Sequence, residues 1–411
     1  MTSPRPWWRE AGRREWTALA AGGVGWMLDA TDVMLYAFAL GAIREEFGLD
    51  AAGAGALASV TLLASAFGGA AAGVLADRFG RARMLVLSVL VYSVFTGLTA
   101  TARSVWDLAL WRALVGIGLG AEWTAGSVLV AETWPPAHRG KAIGLMQSGW
   151  AIGYLLAAGL AAAVLPTLGW RALFVIGIVP ALFAAWIRRS VPEPEIWLRS
   201  ANARERPRFA ARDLLRPPHR SRTLLATSLT TSLLFAYWGL FTWMPSFLAS
   251  PAERGGAGLG IVRSSAWIVP VQIGAFLGYT TFGLLADRFG RKRVFISFVL
   301  AAAAIVPVYG LGARSETTLL LLGPLVGFFG HGYFSVFGAL LAELFPSEIR
   351  ATAQGFCYNA GRAASAAAPF LIGAFSDRWG IGVALAATSL FYLIGSLLVL
   401  PLPETKGETL T

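Results

Sequence analysis

A short phrase occurs twice in this chain. Gly73-Val-Leu-Ala-Asp77-Arg78-Phe-Gly80-Arg81-Ala-Arg83 returns as Gly283-Leu-Leu-Ala-Asp287-Arg288-Phe-Gly290-Arg291-Lys-Arg293, an offset of 283 − 73 = 210 positions. A second pair follows at nearly the same spacing: Glu132-Thr-Trp-Pro135-Pro-Ala-His-Arg139 and Glu343-Leu-Phe-Pro346-Ser-Glu-Ile-Arg350. Each copy of the first phrase sits between two long apolar runs, so the chain reads as a duplicated membrane bundle. The expected fold is all-α, with twelve transmembrane helices in two pseudo-symmetric six-helix bundles.

Charge is scarce and confined. The chain is 56% hydrophobic and 14% charged, against about 25% charged in soluble domains. Twelve apolar runs, near 16–43, 54–76, 84–102, 106–131, 141–165, 171–187, 223–248, 263–286, 294–312, 317–344, 352–374 and 382–400, are of the length needed to cross a hydrocarbon core of about 30 Å. The net charge of +11 does not indicate a nucleic-acid partner, because the arginines form no continuous face. They cluster in alternate gaps, at Arg78, Arg81 and Arg83, at Arg139 and Lys141, and at Arg288, Arg291, Lys292 and Arg293. The positive-inside rule places those gaps and both termini in the cytoplasm, in an inner or plasma membrane. The N-terminal stretch, with Arg5, Arg9, Arg13 and Arg14 around Trp7 and Trp8, lacks the h-region of a cleavable signal and reads as a cytoplasmic arm. The expected organisation is a first bundle over 1–187, a proline- and charge-rich cytoplasmic linker over 188–222, a second bundle over 223–400 and a tail over 401–411. A single cysteine, Cys357, excludes an intrachain disulfide and a cysteine metal site.

With these residues in view, the chain resembles the major facilitator superfamily over nearly its whole length. The Asp77-Arg78-x-Gly80-Arg81 loop and its repeat look like that superfamily's loop signature. Arg112-x-x-x-Gly116-x-Gly118-x-Gly120, the two Glu…Pro…Arg phrases and Pro403-Glu404-Thr405-Lys406-Gly407 are similar to its sugar-porter and metabolite–proton symporter branches. Gly25-Trp-Met-Leu-Asp29-Ala-Thr-Asp32, Gly120-Ala-Glu122-Trp123 and Gln354-Gly-Phe-Cys-Tyr-Asn359-Ala-Gly-Arg362 are most similar to sialate, monocarboxylate and aromatic-acid symporters. Span 7 departs from hexose porters and from fungal lactate permeases, so neither substrate transfers. The resemblance implies a monomeric secondary transporter, not an enzyme and without a cofactor, that imports a small organic acid with protons by alternating access. A proton-coupled exporter of an amphipathic compound and a uniporter are the alternatives within transport. A receptor is disfavoured by the lack of a signalling domain. A membrane-embedded enzyme is disfavoured by the lack of a nucleotide loop or catalytic triad.

Ionisable groups at membrane depth are costly and usually functional. At about 1.5 Å per residue, Asp29 and Asp32 lie about 20 and 24 Å above the cytoplasmic edge, Arg112 about 21 Å and Glu122 about 6 Å. Asp32 and Arg112 are therefore level, and the resemblance adds that they face each other. An arginine that swings to a substrate carboxylate frees its acid to take a proton, which assigns Asp29, Asp32 and Arg112 to proton coupling; Glu122 joins them as an inner proton-release acid and reads equally as an interfacial partner for arginine. The alternative for the pair is a static bridge between spans 1 and 4.

Arg362 falls near the midplane, about 15 Å in, with no level acid in its own half. Its planar fork suits a substrate carboxylate, and Asn359 shares its face. Tyr36, Gln147, Trp150, Tyr237, Trp238, Gln272 and His331 complete the candidate substrate wall, with Tyr333 beside them. His331 reads equally as a hydrogen-bonded structural histidine. The repeated loops supply the candidate gates: Asp77, Arg78 and Arg81 with Asp287, Arg288 and Arg291, and the pairs Glu132–Arg139 and Glu343–Arg350. The glycines of spans 4 and 10, Gly120 and Gly327 among them, are expected at close helix crossings.

Overall fold

The computed structural model describes residues 11–195, 214–312, 315–345, 349–402 and 404, and among these there is no strand. Fifteen helical segments are used below: α1 Arg13–Phe47, α2 Ala51–Phe79, α3 Arg81–Thr99, α4 Val105–Thr133, α5 Pro136–Ile176, α6 Pro180–Ser190, α7 Arg220–Ala249, α8 Gly260–Phe289, α9 Arg291–Pro307, α10 Glu316–Gly332, α11 Phe334–Glu343, α12 Arg350–Ser365, α13 Ala368–Trp379, α14 Ile381–Ala387 and α15 Ser389–Val399. Nine helical runs among the described residues are long and apolar enough to cross a bilayer. One of them, Lys141–Ser190, holds two of the expected spans, because the backbone turns at Gly169, with φ 74° and ψ 179°. Expected spans 10 and 11 are broken, one at Tyr333 and the other at Ala366–Ala367, and are assembled from α10 with α11 and α12 with α13. The twelve-span reading and the broken helices thus describe one architecture.

Local chemistry sets the ends of these helices. Ser104 accepts from Asp107 N at 3.1 Å, and the Asp107 carboxylate accepts from Ser104 N at 3.0 Å, a reciprocal cap that starts α4. Asp50 caps α2 through Gly53 N at 2.7 Å. The duplicated phrase has a backbone reason. Gly80 is the single residue between α2 and α3, with φ 111° and ψ 153°, and Gly290 is its counterpart between α8 and α9, with φ 100° and ψ 142°. A side chain is strongly disfavoured there, so glycine recurs at the same point of each half.

The halves are built alike. In the first, α2 packs on α4, α1 on α5 and α3 on α6; in the second, α8 packs on α10, α7 on α12 and α9 on α15. Two seams join them, α5 against α8 and α2 against α13, related by the same pseudo-two-fold. Glycine permits the closest crossings. A Cβ on Gly120 would strike the Ser65 carbonyl and lie 2.7 Å from Gly69 N. One on Gly327 would strike the Val271 carbonyl and lie 2.9 Å from Ala275 N. Large apolar side chains such as Phe67, Leu284 and Leu397 point outward, where hydrocarbon replaces water.

Candidate functional site

Three helices of the first half place a ladder of polar groups inside it. Asp32 of α1 and Arg112 of α4 form an ion pair at 3.5 Å, both side chains only 2% exposed. Thr96 of α3 donates to the second oxygen of Asp32. Arg112 Nε donates to Thr61 at 3.3 Å, and its guanidinium lies 5.1 Å from the Tyr36 ring centroid. Tyr36 is itself fixed by donation to the Ala54 carbonyl at 2.8 Å. Asp32 and Arg112 thus meet as their depths require, and every partner restrains one of the two charges.

The arginine of this pair lines a small cavity between the halves. Its lining is Val33, Met34, Tyr36, Ala37, Ala58, Thr61, Leu62 and Arg112 from the first half, with Trp238 and Thr242 of α7 from the second. Asp29 and Glu122, both fully buried, lie on the same ladder nearer the Arg81 face, and none of their carboxyl oxygens has a hydrogen-bond partner among the described residues. Arg362 of α12 is 3% exposed, and its buried Nε also has no such partner. It stands one turn from Tyr358, whose ring stacks on Trp123 of the opposite half beside Glu122, and the charge of Asp29 acts on it across the halves without a direct ion pair among the described residues. Asn359 uses its amide on the Gly355 carbonyl at 3.0 Å.

An aromatic cluster runs from Tyr358, one turn from Arg362, to Trp238 at the cavity. Trp123 stacks on Tyr358 across the halves at 4.3 Å, Trp26 lies 4.6 Å from Trp150, and Trp150 meets Trp238 edge-on at 5.9 Å. Gln147 accepts from Trp123 Nε1 at 3.4 Å. Tyr237 is 6.3 Å from Trp150, and its hydroxyl is 3.3 Å from His331 Nε2, whose Nδ1 is 3.2 Å from the Gly327 carbonyl. His331 is thus hydrogen-bonded at both nitrogens and fully buried. Gln272 is buried, and its amide has no partner among the described residues.

Glu132 pairs with Arg81, at 2.9 Å to Nη2 and 3.2 Å to Nε. Arg81 reaches it because Arg81 opens α3, which packs along α4. The free N–H groups at the start of α3 are met by Glu193, which accepts from Arg81 N at 2.6 Å, Ala82 N at 3.1 Å and Arg83 N at 3.2 Å. Glu404 does the same for α9, accepting from Arg291 N at 2.9 Å. Each of these caps comes from the same half as the helix it meets. The sequence held a signal for them: Pro192-Glu193 and Pro403-Glu404 stand 404 − 193 = 211 positions apart, the repeat offset again. Arg78 and Arg288 are exposed, each lying over the neighbouring phenylalanine ring, Phe79 or Phe289. The side chains of Asp77, Arg139, Asp287, Glu343 and Arg350 lie outside the described residues. On the opposite face α2 and α13 close tightly. Asp377 accepts from Ala51 N at 3.2 Å and Ala52 N at 3.1 Å across the halves, with Arg44 3.9 Å away.

Two pseudo-symmetric helical bundles, outward apolar surfaces and buried charges at their interface define a membrane transporter. The chain belongs to the Major Facilitator Superfamily, whose family model matches residues 23–279 and 259–411. It is 36% identical to a metabolite transport protein of Haemophilus influenzae whose name is itself provisional, over 96% of this chain and 98% of that one. It is 33% identical to the cis,cis-muconate transport protein of Acinetobacter baylyi, over 90% of this chain and 89% of that one. The fold matches the Escherichia coli xylose transporter XylE in a partially occluded inward-open conformation, with TM-score 0.77, 19% identity and coverage of 97% and 100%. The protein is a transporter and not an enzyme.

Proposed function

We propose that this transporter imports a small organic acid together with protons, by alternating access of the two halves. The observation that carries this reading is the buried Asp32–Arg112 pair, whose arginine lines a cavity between the halves. A buried ion pair gains little over apolar packing and loses much when one partner leaves. At a cavity edge it becomes an exchange device: a substrate carboxylate takes over Arg112, and Asp32, left without its cation, takes a proton. The muconate carrier among the relatives is named for a carboxylic acid, which supports the substrate class.

Arg362, beside Asn359, is the guanidinium that the second half offers to a carboxylate, with Asp29 as its resident anion. Tyr36, Gln147, Trp150, Tyr237, Trp238, Gln272 and His331 shape the space between the two arginines for a partly apolar molecule. On the loop face, Arg81–Glu132 and the Glu193 and Glu404 caps belong to the gate, together with Asp77, Arg78, Arg139, Asp287, Arg288, Arg291, Glu343 and Arg350. The proton gradient of an inner membrane would drive import with that face and both termini cytoplasmic and the protein monomeric.

The test is uptake by proteoliposomes under an imposed pH gradient. Asp32→Asn should abolish accumulation above equilibrium while counterflow exchange, which moves no net proton, persists. Full pH-driven accumulation by this variant would remove Asp32 from coupling.

A further inference from the structure

The exchange device above gives no place to hold the proton once Arg112 is reclaimed by Asp32. We propose, building on the symport reading, that Asp29 and Glu122 hold the transported proton between them, that Tyr92 positions it, and that Arg362 of the opposite half sets how many protons the pair binds.

The placement follows from helix geometry. Gly25, Asp29 and Asp32 occupy one face of α1, at steps of four and three residues. On α3, Leu85 lies 3.8 Å from where a Gly25 Cβ would stand, and Thr96 bonds Asp32. Tyr92 is one turn below Thr96 on that face, which brings it level with Asp29. On α4, Arg112 meets Asp32, a Cβ at Gly118 would lie 2.7 Å from Tyr92 N, and the Glu122 carboxyl rests on Gly25. Three helices therefore form successive rungs: Asp32 with Arg112 and Thr96, then Asp29 with Tyr92, then Glu122. Descending the ladder leads from the cavity towards the Arg81 face.

The charges do not balance on this ladder. Three carboxyls, Asp29, Asp32 and Glu122, are at most 2% exposed, and two guanidiniums, Arg112 and Arg362, are at most 3% exposed. The difference, 3 − 2 = 1, leaves one carboxyl without a cation. Asp32 has Arg112 and the Thr96 hydroxyl. The four oxygens of Asp29 and Glu122 have no hydrogen-bond donor among the described residues. An unpaired carboxylate in a dry interior is far costlier than a carboxylic acid, so the pair retains a proton. The titratable and charged groups facing it are Asp32 on α1, Tyr92 on α3, Arg112 on α4, and Arg362 and Tyr358 on α12. α5 meets α1 through Gly149 and Gly153 and adds no charge there.

Coupling then has a simple form. When a substrate carboxylate takes Arg362, Asp29 loses its counter-charge and binds one proton from water. When the substrate leaves, the Arg362 charge acts on Asp29 again and that proton departs past Glu122. The Tyr92 hydroxyl can accept a proton on oxygen while giving up its own, so it passes the charge without keeping it.

Two measurements on the full-length protein in lipid test this. The first uses no substrate: infrared spectroscopy at neutral pH. Wild type should show the carbonyl stretch of a protonated carboxylic acid. The band should persist in Asp32→Asn, shift in Asp29→Asn and Glu122→Gln, and titrate at an altered pH in Tyr92→Phe. Absence of the band from wild type, or its loss only in Asp32→Asn, overturns the proposal. The second uses radiolabelled cis,cis-muconate. Glu122→Gln should retain exchange but lose at least tenfold in pH-driven accumulation, and Glu122→Asp should recover part of it. Wild-type accumulation by Glu122→Gln sinks the proton site while leaving symport standing. Failure of wild type to concentrate the probe counts against the symport reading, and the infrared measurement still decides where the proton resides.

Discussion

Asp377→Ala should unlatch the face opposite the repeated loops. The Asp377 carboxylate accepts from Ala51 N at 3.2 Å and Ala52 N at 3.1 Å, at the N-terminus of a helix from the other half. These bonds exist only while α2 and α13 are closed on each other; opening returns all three groups to water. A charged hydrogen bond is worth about 1.5–3 kcal/mol when well protected. The Asp377 side chain is 34% exposed and Arg44 is 3.9 Å away, so screening reduces the whole clasp to about 1–2 kcal/mol. That corresponds to a factor of about 5–30 in the closed-to-open equilibrium. The assay is alkylation of Ala58→Cys in a Cys357→Ser background, with an impermeant thiol reagent applied to that face. Ala58 is 7% exposed and lines the cavity, so the reagent reaches it when the seam parts. Asp377→Ala should raise the labelling rate by about 5–30-fold, and Asp377→Asn, which keeps an acceptor but not the charge, should fall between. Equal rates in wild type and Asp377→Ala would refute the clasp.

Three further outcomes are expected. Titration with a carboxylate and its neutral amide should show that wild type prefers the acid and that Arg362→Ala loses most of this preference; Arg362→Lys should weaken binding clearly, because it lacks the bidentate fork. If Arg362→Ala discriminates as wild type does, the carboxylate is read at Arg112 instead. Asp77→Asn and Asp287→Asn should alter turnover and the accessibility of cysteines on the loop face with little change in substrate affinity, and a large affinity loss without an accessibility change would contradict gating. Gly120→Ala and Gly327→Ala should each lower thermal stability in detergent by about 1–3 kcal/mol, since both Cβ atoms would meet backbone; unchanged melting would show that the helices part freely there.

The sequence alone determined the duplication, the membrane class and the level of the key charges. Apolar runs record the solvent each segment meets, and helical rise converts numbering into depth, so Asp32 and Arg112 could be matched before any contact was known. The recurrence of Gly80 and Gly290 was legible as a repeat, and the structure supplies its reason: each is the single residue between two helices, at positive φ. Partners across the fold were not legible. Arg362 has no level acid in its own half, and only packing of the two bundles, with Tyr358 stacked on Trp123, puts it within the field of Asp29. Glu132 has no sequence link to Arg81, and only α3 lying along α4 brings the two together. Tyr92 and Thr96 on α3 carry no sequence mark of their role, and Asp377 looks like an ordinary helix-end acid until α2 arrives from the other half. Depth is a local property of a helix. Which charge faces which depends on helix rotation and on the docking of two bundles, and those are fixed by the whole of the packed surface at once.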